Sequence, residues 1–444
     1  MAYQTDDLDY CRKFAQAITP MQATRDQIDR YYVEMSSDKI RGIDLGPRLI
    51  RTVELTLGEA VTLVTGPTGS GKSSELLRFG DAMEQRGHPC FYSDIMDVFR
   101  PDDPVDPGSF LIGVVVGLVT AVESKTRTRV IIKHNPWKQL EDFFHNIHIT
   151  GIDLNAGPLA ISSSLRDSED LRQGFHAAIK DNRTTFRTQL HDLVRNLSGL
   201  LSGPHGEIPV FIVDSIDHFR GTTTDNYFAV RKAMQQIFFE YAEELKLPGL
   251  QVIYSVPEHL QALQFNVNPI RNIKVFKEDG TRFQAGINQL YDIAYKRSPT
   301  DGRLERLFGP DRTALDEVLY LSGGLFRDLF RLLYVVIRDA TTLPVTQEVL
   351  IQAIADYRSN FVGGSNGLSR EQVKLLAQIS GDHQFVPSQA QQSDFEILKT
   401  LGAILHYPDG PHGFWIAVHP LLKQVVDHEL AISGSTQPSG PGSQ

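Results

Sequence analysis

The chain has 444 residues, enough for two or three domains of ordinary size, and carries a formal net charge of −10 with a pI near 5.8. Apolar content of 41% and charged content of 22% exclude a disordered or collagen-like chain, and the acidic balance argues against a protein that coats nucleic acid or anionic membrane. Cys11 and Cys90 stand far apart without ligand residues at metal spacing, which argues against a disulfide framework or zinc site and makes a reducing cytoplasm the expected compartment.

The opening Met-Ala-Tyr-Gln-Thr-Asp-Asp has neither the basic nor the apolar region of a secretory signal, so none is expected. Over residues 6–35 apolar positions recur at helical spacing, interrupted at Pro20, with Thr24 three residues before Gln27 as a capping box; N-terminal helices are expected over 1–40. After Gly42 and Pro47, residues 53–55 and 61–65 read as strands. The second runs into a glycine-rich loop, a helix follows to about residue 85, and another strand is expected at 90–94. A proline-rich stretch at 101–107 precedes an apolar run at 110–122. That run is shorter than the roughly 18–20 residues a membrane span needs, so it reads as a buried core helix and no membrane contact is expected.

Residues from about 130 to 205 read as an insertion, with a hairpin over 147–161 around Asn155-Ala156-Gly157 and two polar-faced helices after it. Val210-Phe211-Ile212-Val213-Asp214 is apolar on both faces, as expected of a central parallel strand. Further strands are expected at 250–255 and 273–276. The alternation predicts an α/β fold over 41–285, a doubly wound parallel sheet with helices on both faces. Residues 286–362 read as a small helical lid domain in which Ser322-Gly323-Gly324 opens a helix at 325–340. After a glycine-rich linker at 363–367, residues 366–431 give helices at 369–379 and 394–401 and a hairpin, 403–407 with 414–418, turned by Pro408-Asp409-Gly410. That order is a winged-helix pattern. The tail, 432–444, is too polar to pack and is expected to be disordered.

The chemistry concentrates in Gly66-Pro67-Thr68-Gly69-Ser70-Gly71-Lys72-Ser73, with Ser74 beside it. Such a loop points backbone N–H groups at a phosphate chain and ends at a helix N-terminus; its lysine reaches the β- and γ-phosphates and its hydroxyl ligates Mg²⁺. Lys72 and Ser73 take those roles. Asp214, ending an apolar central strand, reads as a helix cap or as the second metal ligand, and the loop upstream favours the metal. His412 and His419 flank the last hairpin strand without further metal ligands at the right spacing, and His419-Pro420 reads as a helix cap.

In this order, Gly66 to Ser73, then Phe211-Ile212-Val213-Asp214-Ser215-Ile216-Asp217, a strand ending in Ser255, and Ser322-Gly323-Gly324-Leu325-Phe326-Arg327-Asp328-Leu329, the chain resembles the additional-strand P-loop ATPases of the AAA+ and signal-transducing (STAND) branch, including origin-recognition-type initiators. The resemblance spans residues 40–430. It implies ATP and Mg²⁺ as ligands, an ATPase activity, Ser255 as sensor 1 and Arg327 as sensor 2. Relatives often place a glutamate after the metal-binding aspartate to polarise the attacking water. This chain has Ser215 there, with Asp217 as the nearest acidic substitute, so hydrolysis is expected to be slow or partner-activated. An arginine from a neighbouring subunit would supply transition-state charge, and Arg220 and Arg271 are candidates.

Two functions follow from the resemblance. The first is a nucleotide-controlled switch acting through a protein partner, an effector chain or homo-oligomerisation; bacterial relatives often serve signalling or antiphage defence, which the resemblance permits. The second is a DNA-handling initiator or loader. Residues 366–431 offer Arg370, Lys374, Lys399 and Lys423 against Glu371, Asp382, Asp394, Glu396, Asp409, Asp427 and Glu429, a poor match to a phosphate backbone, so the switch is favoured.

Overall fold

Five parallel strands form the sheet of this computed structural model: β1 (Ala60–Thr65), β2 (Cys90–Asp94), β3 (Val210–Asp214), β4 (Gln251–Val256) and β5 (Asn266–Pro269), in the order β2-β3-β4-β1-β5. The structure describes residues 5–19, 24–35, 37–126, 140, 142–144, 147, 158–220, 224–260, 265–363, 367–410 and 413–435. The chain divides into two units, one of Leu45–Gly66 with Lys72–Pro269 and one of Met1–Asp44, Pro67–Gly71 and Ile270–Gln444.

In the first unit every residue of β3 and β4 is buried, so both faces of the sheet are covered. Side chains alternate across a strand, and this places the covering helices. A methyl group at Gly80 of the helix Lys72–Gln85 would press on Cys90 Sγ (3.2 Å) and Ile212, which share one face, whereas a side chain at Gly117 of the helix Pro107–Thr126 would run into the Ser93 hydroxyl on the other. The helix Pro107–Thr126 is long and apolar enough to cross a membrane, but 78% of its most apolar window is buried within the protein, as a core helix requires.

Three helices, Pro158–Asp167, Glu169–Asp181 and Arg183–Leu201, follow where a hairpin and two helices were expected. Residues 158–161 of the expected hairpin are helical, and its tip at 155–157 lies outside the described residues. Phe175, Phe186, Leu190 and Val194 join the core of the sheet unit, so these helices are built into it.

Residues 53–55 are also helical, closing the helix Leu45–Leu55. Leu45, Leu49 and Val53 recur every four residues on one buried stripe, and this period outweighs the local alternation of Val53-Glu54-Leu55. Pro47 is tolerated because it sits in the first turn, where its missing N–H has no helical partner to lose. The expected strand at 273–276 does not join the sheet. The amides of Asn272, Ile273 and Lys274 are instead taken by the carbonyls of His406, Gly324 and Ile40, and the last sheet strand is β5.

In the second unit the helices Thr5–Ile18, Gln284–Arg297, Arg303–Phe308, Thr313–Leu321, Phe326–Asp339 and Gln347–Gly363 contribute to one core, in which Tyr10, Phe14, Leu329 and Leu333 share a cluster. Then come the helices Arg370–Gly381 and Gln392–Leu401, the antiparallel hairpin of β6 (Ile404–Asp409) and β7 (Gly413–Val418), and the helix Lys423–Ser435, the expected winged-helix order. This module has its own core around Leu376, Leu398, Ile404 and Leu422. The final helix takes in residues 432–435, which were expected in the disordered tail, and Gly363 of the expected linker belongs to Gln347–Gly363; 364–366 and 436–444 are not described.

Candidate functional site

β1 ends at Thr65, the phosphate loop follows, and a helix begins at Lys72. Gly69 (φ 87°) and Gly71 (φ 90°) occupy the left-handed region, which explains why glycines recur there. Lys72 is the first helical residue, and its Nζ lies 2.9 Å from the Gly66 carbonyl and 2.9 Å from Asp217 Oδ2; the side chains of Lys72 and Asp217 are 4% and 5% exposed. The loop lysine therefore rests in a buried ion pair with the acidic residue that follows β3. Ser255 Oγ, at the end of β4, approaches Asp217 Oδ1 at 3.5 Å, the outer limit of a hydrogen bond. Ser73 and Ser74 follow Lys72 in the first helical turn, half-buried.

Asp214 closes β3 at 1% exposure. Its Oδ2 accepts from the Tyr92 hydroxyl (2.7 Å) and its Oδ1 from the Ser215 amide (2.7 Å). Ser215 holds φ 68° and ψ 13°, a left-handed conformation unusual for serine, and its hydroxyl donates to Asp94 Oδ2 at 2.9 Å. The other Asp94 oxygen accepts from the Met96 amide. Burial raises the proton affinity of Asp94; the bonds from Met96 and Ser215 oppose this, and the nearby Asp214 adds to it. Burial, the Asp214 charge and their hydrogen bond likewise push the Tyr92 hydroxyl up. Neither Asp94 nor Tyr92 was singled out in the sequence. The available signal was β2 itself, a short apolar strand ending in aspartate like β3.

In the second unit, the loop segment Pro67–Gly71 is held by its carbonyls. The Arg327 amide donates to Gly69 O (3.3 Å), and the buried Arg41 guanidinium donates to Ser70 O and to Arg271 O (3.3 Å) while stacking on Phe326 at 5.4 Å. Side chains at Gly69 or Gly71 would collide with Arg327 and Phe326. Arg41 was also missed, since nothing near Ile40 and Gly42 in sequence marks it.

Arg327, expected as sensor 2, turns its guanidinium onto Asp328 through two 3.0 Å bonds, with a longer contact to Leu401 O at 3.5 Å. Asp328 is fully buried and also accepts from Tyr357 (2.9 Å); His419 Nε2 stands 3.6 Å away. Burial works against its charge, yet Arg327 and then His419 hold its carboxyl well below the usual range. His419 caps the turn before the last helix, accepting from the Leu421 amide; His412 lies outside the described residues. Of the two arginines considered for action in trans, Arg271 stacks on Phe414 at 4.2 Å, and the Arg220 amide donates to Pro101 O at 2.7 Å.

The residues fit a phosphate ligand and Mg²⁺ by their chemistry. Ser70 Oγ, in the loop, and Thr65 Oγ1, at the end of β1, are buried with no hydrogen-bond partner, which leaves polar groups for a ligand to satisfy. One hydroxyl, Ser73, and one carboxylate, Asp214, give the oxygen-only donors that suit Mg²⁺ shared with phosphates and water. Among the described residues no group of three or more His, Cys, Asp or Glu side chains forms a separate metal cage.

No protein-family model matches the chain, and no curated protein sequence does. Solved structures do match. The Aeropyrum pernix ORC1 protein in complex with DNA is 13% identical, with 95% of this chain and 98% of that chain covered at a TM-score of 0.35. The A. pernix ORC2 protein in ADPNP and ADP complexes is 11% identical, over 92% and 99%, at 0.36. AMPPCP-bound DnaA from Aquifex aeolicus is 9% identical, over 94% and 93%, at 0.31. Superpositions this loose carry no inference about chemistry, which rests on the residues themselves.

Proposed function

We propose that this chain is an AAA+-type P-loop ATPase that binds ATP on residues 66–73 and uses the nucleotide as a conformational switch, acting through a protein partner or self-assembly. The carrying observation is the strand–loop–helix in which Gly69 and Gly71 adopt left-handed backbone and Lys72, buried, opens the helix. β4 lies between the loop strand β1 and the Asp214 strand β3, the added strand for which this branch of P-loop proteins is named. Ser73 and Asp214 would hold Mg²⁺, which when bound neutralises charge on the phosphates. Lys72 binds the β- and γ-phosphates, and Ser255 and Asp217 set the polar surroundings of its amine.

The switch reading draws support from a continuous set of contacts inside the second unit. Gly69 of the loop meets the Arg327 amide, the Arg327 guanidinium grips Asp328, and Asp328 faces His419 of the winged-helix module. A change in the loop has a direct route to that module. A signalling role, including the STAND kind, follows from this reading.

The DNA-handling reading is weaker at the helix that would enter a groove. In Gln392–Leu401, Lys399 lies 3.8 Å from Glu396, and Asp394 adds a further acid. Phosphate release with Mg·ATP, with and without duplex DNA, separates the two. The switch predicts tight nucleotide binding and low turnover indifferent to DNA; strong stimulation by DNA would replace it with a loader or motor.

A further inference from the structure

Ser215 stands where a water-orienting carboxylate is expected, and the structure brings a carboxylate to that serine from another strand. Asp94 ends β2 in register with Asp214 at the end of β3, and the two residues are 8% and 1% exposed. Ser215 is held in a left-handed conformation and donates its hydroxyl to Asp94 at 2.9 Å. The nearer acid in sequence, Asp217, pairs with the Lys72 ammonium at 2.9 Å, whereas Asp94 is the carboxylate that the Ser215 hydroxyl meets. At the same end of the parallel sheet, the fully buried Thr65 hydroxyl that closes β1 has no partner, an independent sign that a polar ligand belongs on this rim.

Resting on the ATPase reading above, we propose that Asp94 is the catalytic carboxylate that accepts the proton of the attacking water, with Ser215 as its positioning residue. The water oxygen bonds to the γ-phosphorus as the bond from that phosphorus to the β–γ bridging oxygen breaks. The bridging oxygen keeps the electron pair and leaves on ADP. The proton of the water passes to Asp94 and then to solvent. The carboxylate that relatives carry after the metal-binding aspartate is thus supplied here by the neighbouring strand, and serine serves to aim it.

The test uses the full chain as wild type, Asp94→Asn, Ser215→Ala and Asp217→Asn, with single-turnover phosphate release, steady-state kcat and KM, and anisotropy of a fluorescent ATP analogue. Asp94→Asn should lower turnover by about a hundredfold or more, as loss of a positioned base does, while still binding the analogue. Ser215→Ala should lower kcat with KM unchanged, which a merely structural serine would not do. Turnover that persists in Asp94→Asn, or that vanishes in Asp217→Asn alone, overturns the proposal, as does a wild-type protein that binds the analogue and never turns over. If Asp94→Asn does not fold, an unchanged kcat in Ser215→Ala overturns it. A wild-type protein that binds no nucleotide overturns the ATPase reading itself, a result distinguishable from all of these.

Discussion

Lys72 Nζ lies 2.9 Å from Asp217 Oδ2, and both side chains are almost wholly buried. The amine that a phosphate loop offers to its ligand is thus already held by a carboxylate of the same chain, and phosphate oxygens must compete with it. Deleting one partner of a buried pair strands the other charge, so Asp217→Ala should cost about 3–5 kcal/mol. The double variant Lys72→Met/Asp217→Leu should cost much less. Denaturant melts of the three proteins check this; equal losses in single and double variants would contradict it.

The same competition predicts a ligand effect. With Asp217 gone, the stranded lysine welcomes phosphate, so Mg·ATP should raise the melting temperature of Asp217→Ala by more than it raises that of wild type. Thermal melts across a nucleotide titration read the difference. A smaller rise in the variant would mean that Asp217 helps to hold the nucleotide.

Arg41 fixes the loop from its far side. Its guanidinium reaches Ser70 O and Arg271 O while lying over Phe326, a combination that a lysine cannot reproduce. Arg41→Ala should cost about 2 kcal/mol of stability or more, from two charged hydrogen bonds and a stacked cation. It should also weaken nucleotide binding, and Arg41→Lys should recover little of either. Equilibrium unfolding and nucleotide titration of both variants are the measurements.

The buried Asp328 sets a pH dependence. Its carboxyl titrates well below the ordinary value of about 4, so its contribution to stability is fully present above that pH and is lost as pH falls through the depressed folded-state value. Asp328→Asn should therefore be about 3–5 kcal/mol less stable than wild type at neutral pH, and the gap should narrow as the solution is acidified below pH ~4. Tyr357→Phe, which removes one hydrogen bond, should cost about 1 kcal/mol. Urea melts at several pH values test the sign; a gap that widens on acidification would contradict it.

The parts that the sequence disclosed are those whose signal is local. The loop glycines, Lys72, the double-faced apolar strand before Asp214, and the helix after Ser322-Gly323-Gly324 each carry their pattern within a few residues, and each lies in the expected element. Residues 53–55 misled because the apolar–polar alternation of Val53-Glu54-Leu55 ignores the four-residue period reaching back to Leu45. Residues 273–276 misled because an extended segment looks like a strand until the partners of its amides are known. Asp94 and Tyr92 were hidden for a deeper reason. Their meaning comes from the pairing of β2 with β3, whose facing residues are separated by 120 positions of chain, for example Asp94 and Asp214. Arg41 is likewise defined only by its reach to Ser70.

Binding of ATP by residues 66–73, as proposed above, is read out by equilibrium titration of a fluorescent ATP analogue with Mg²⁺ into the wild-type chain and into Lys72→Ala. Wild type should bind saturably, with unlabelled ATP displacing the analogue, and the variant should bind at least tenfold more weakly, by about 1.4 kcal/mol or more. Equal binding by both proteins, or none by wild type, would contradict it.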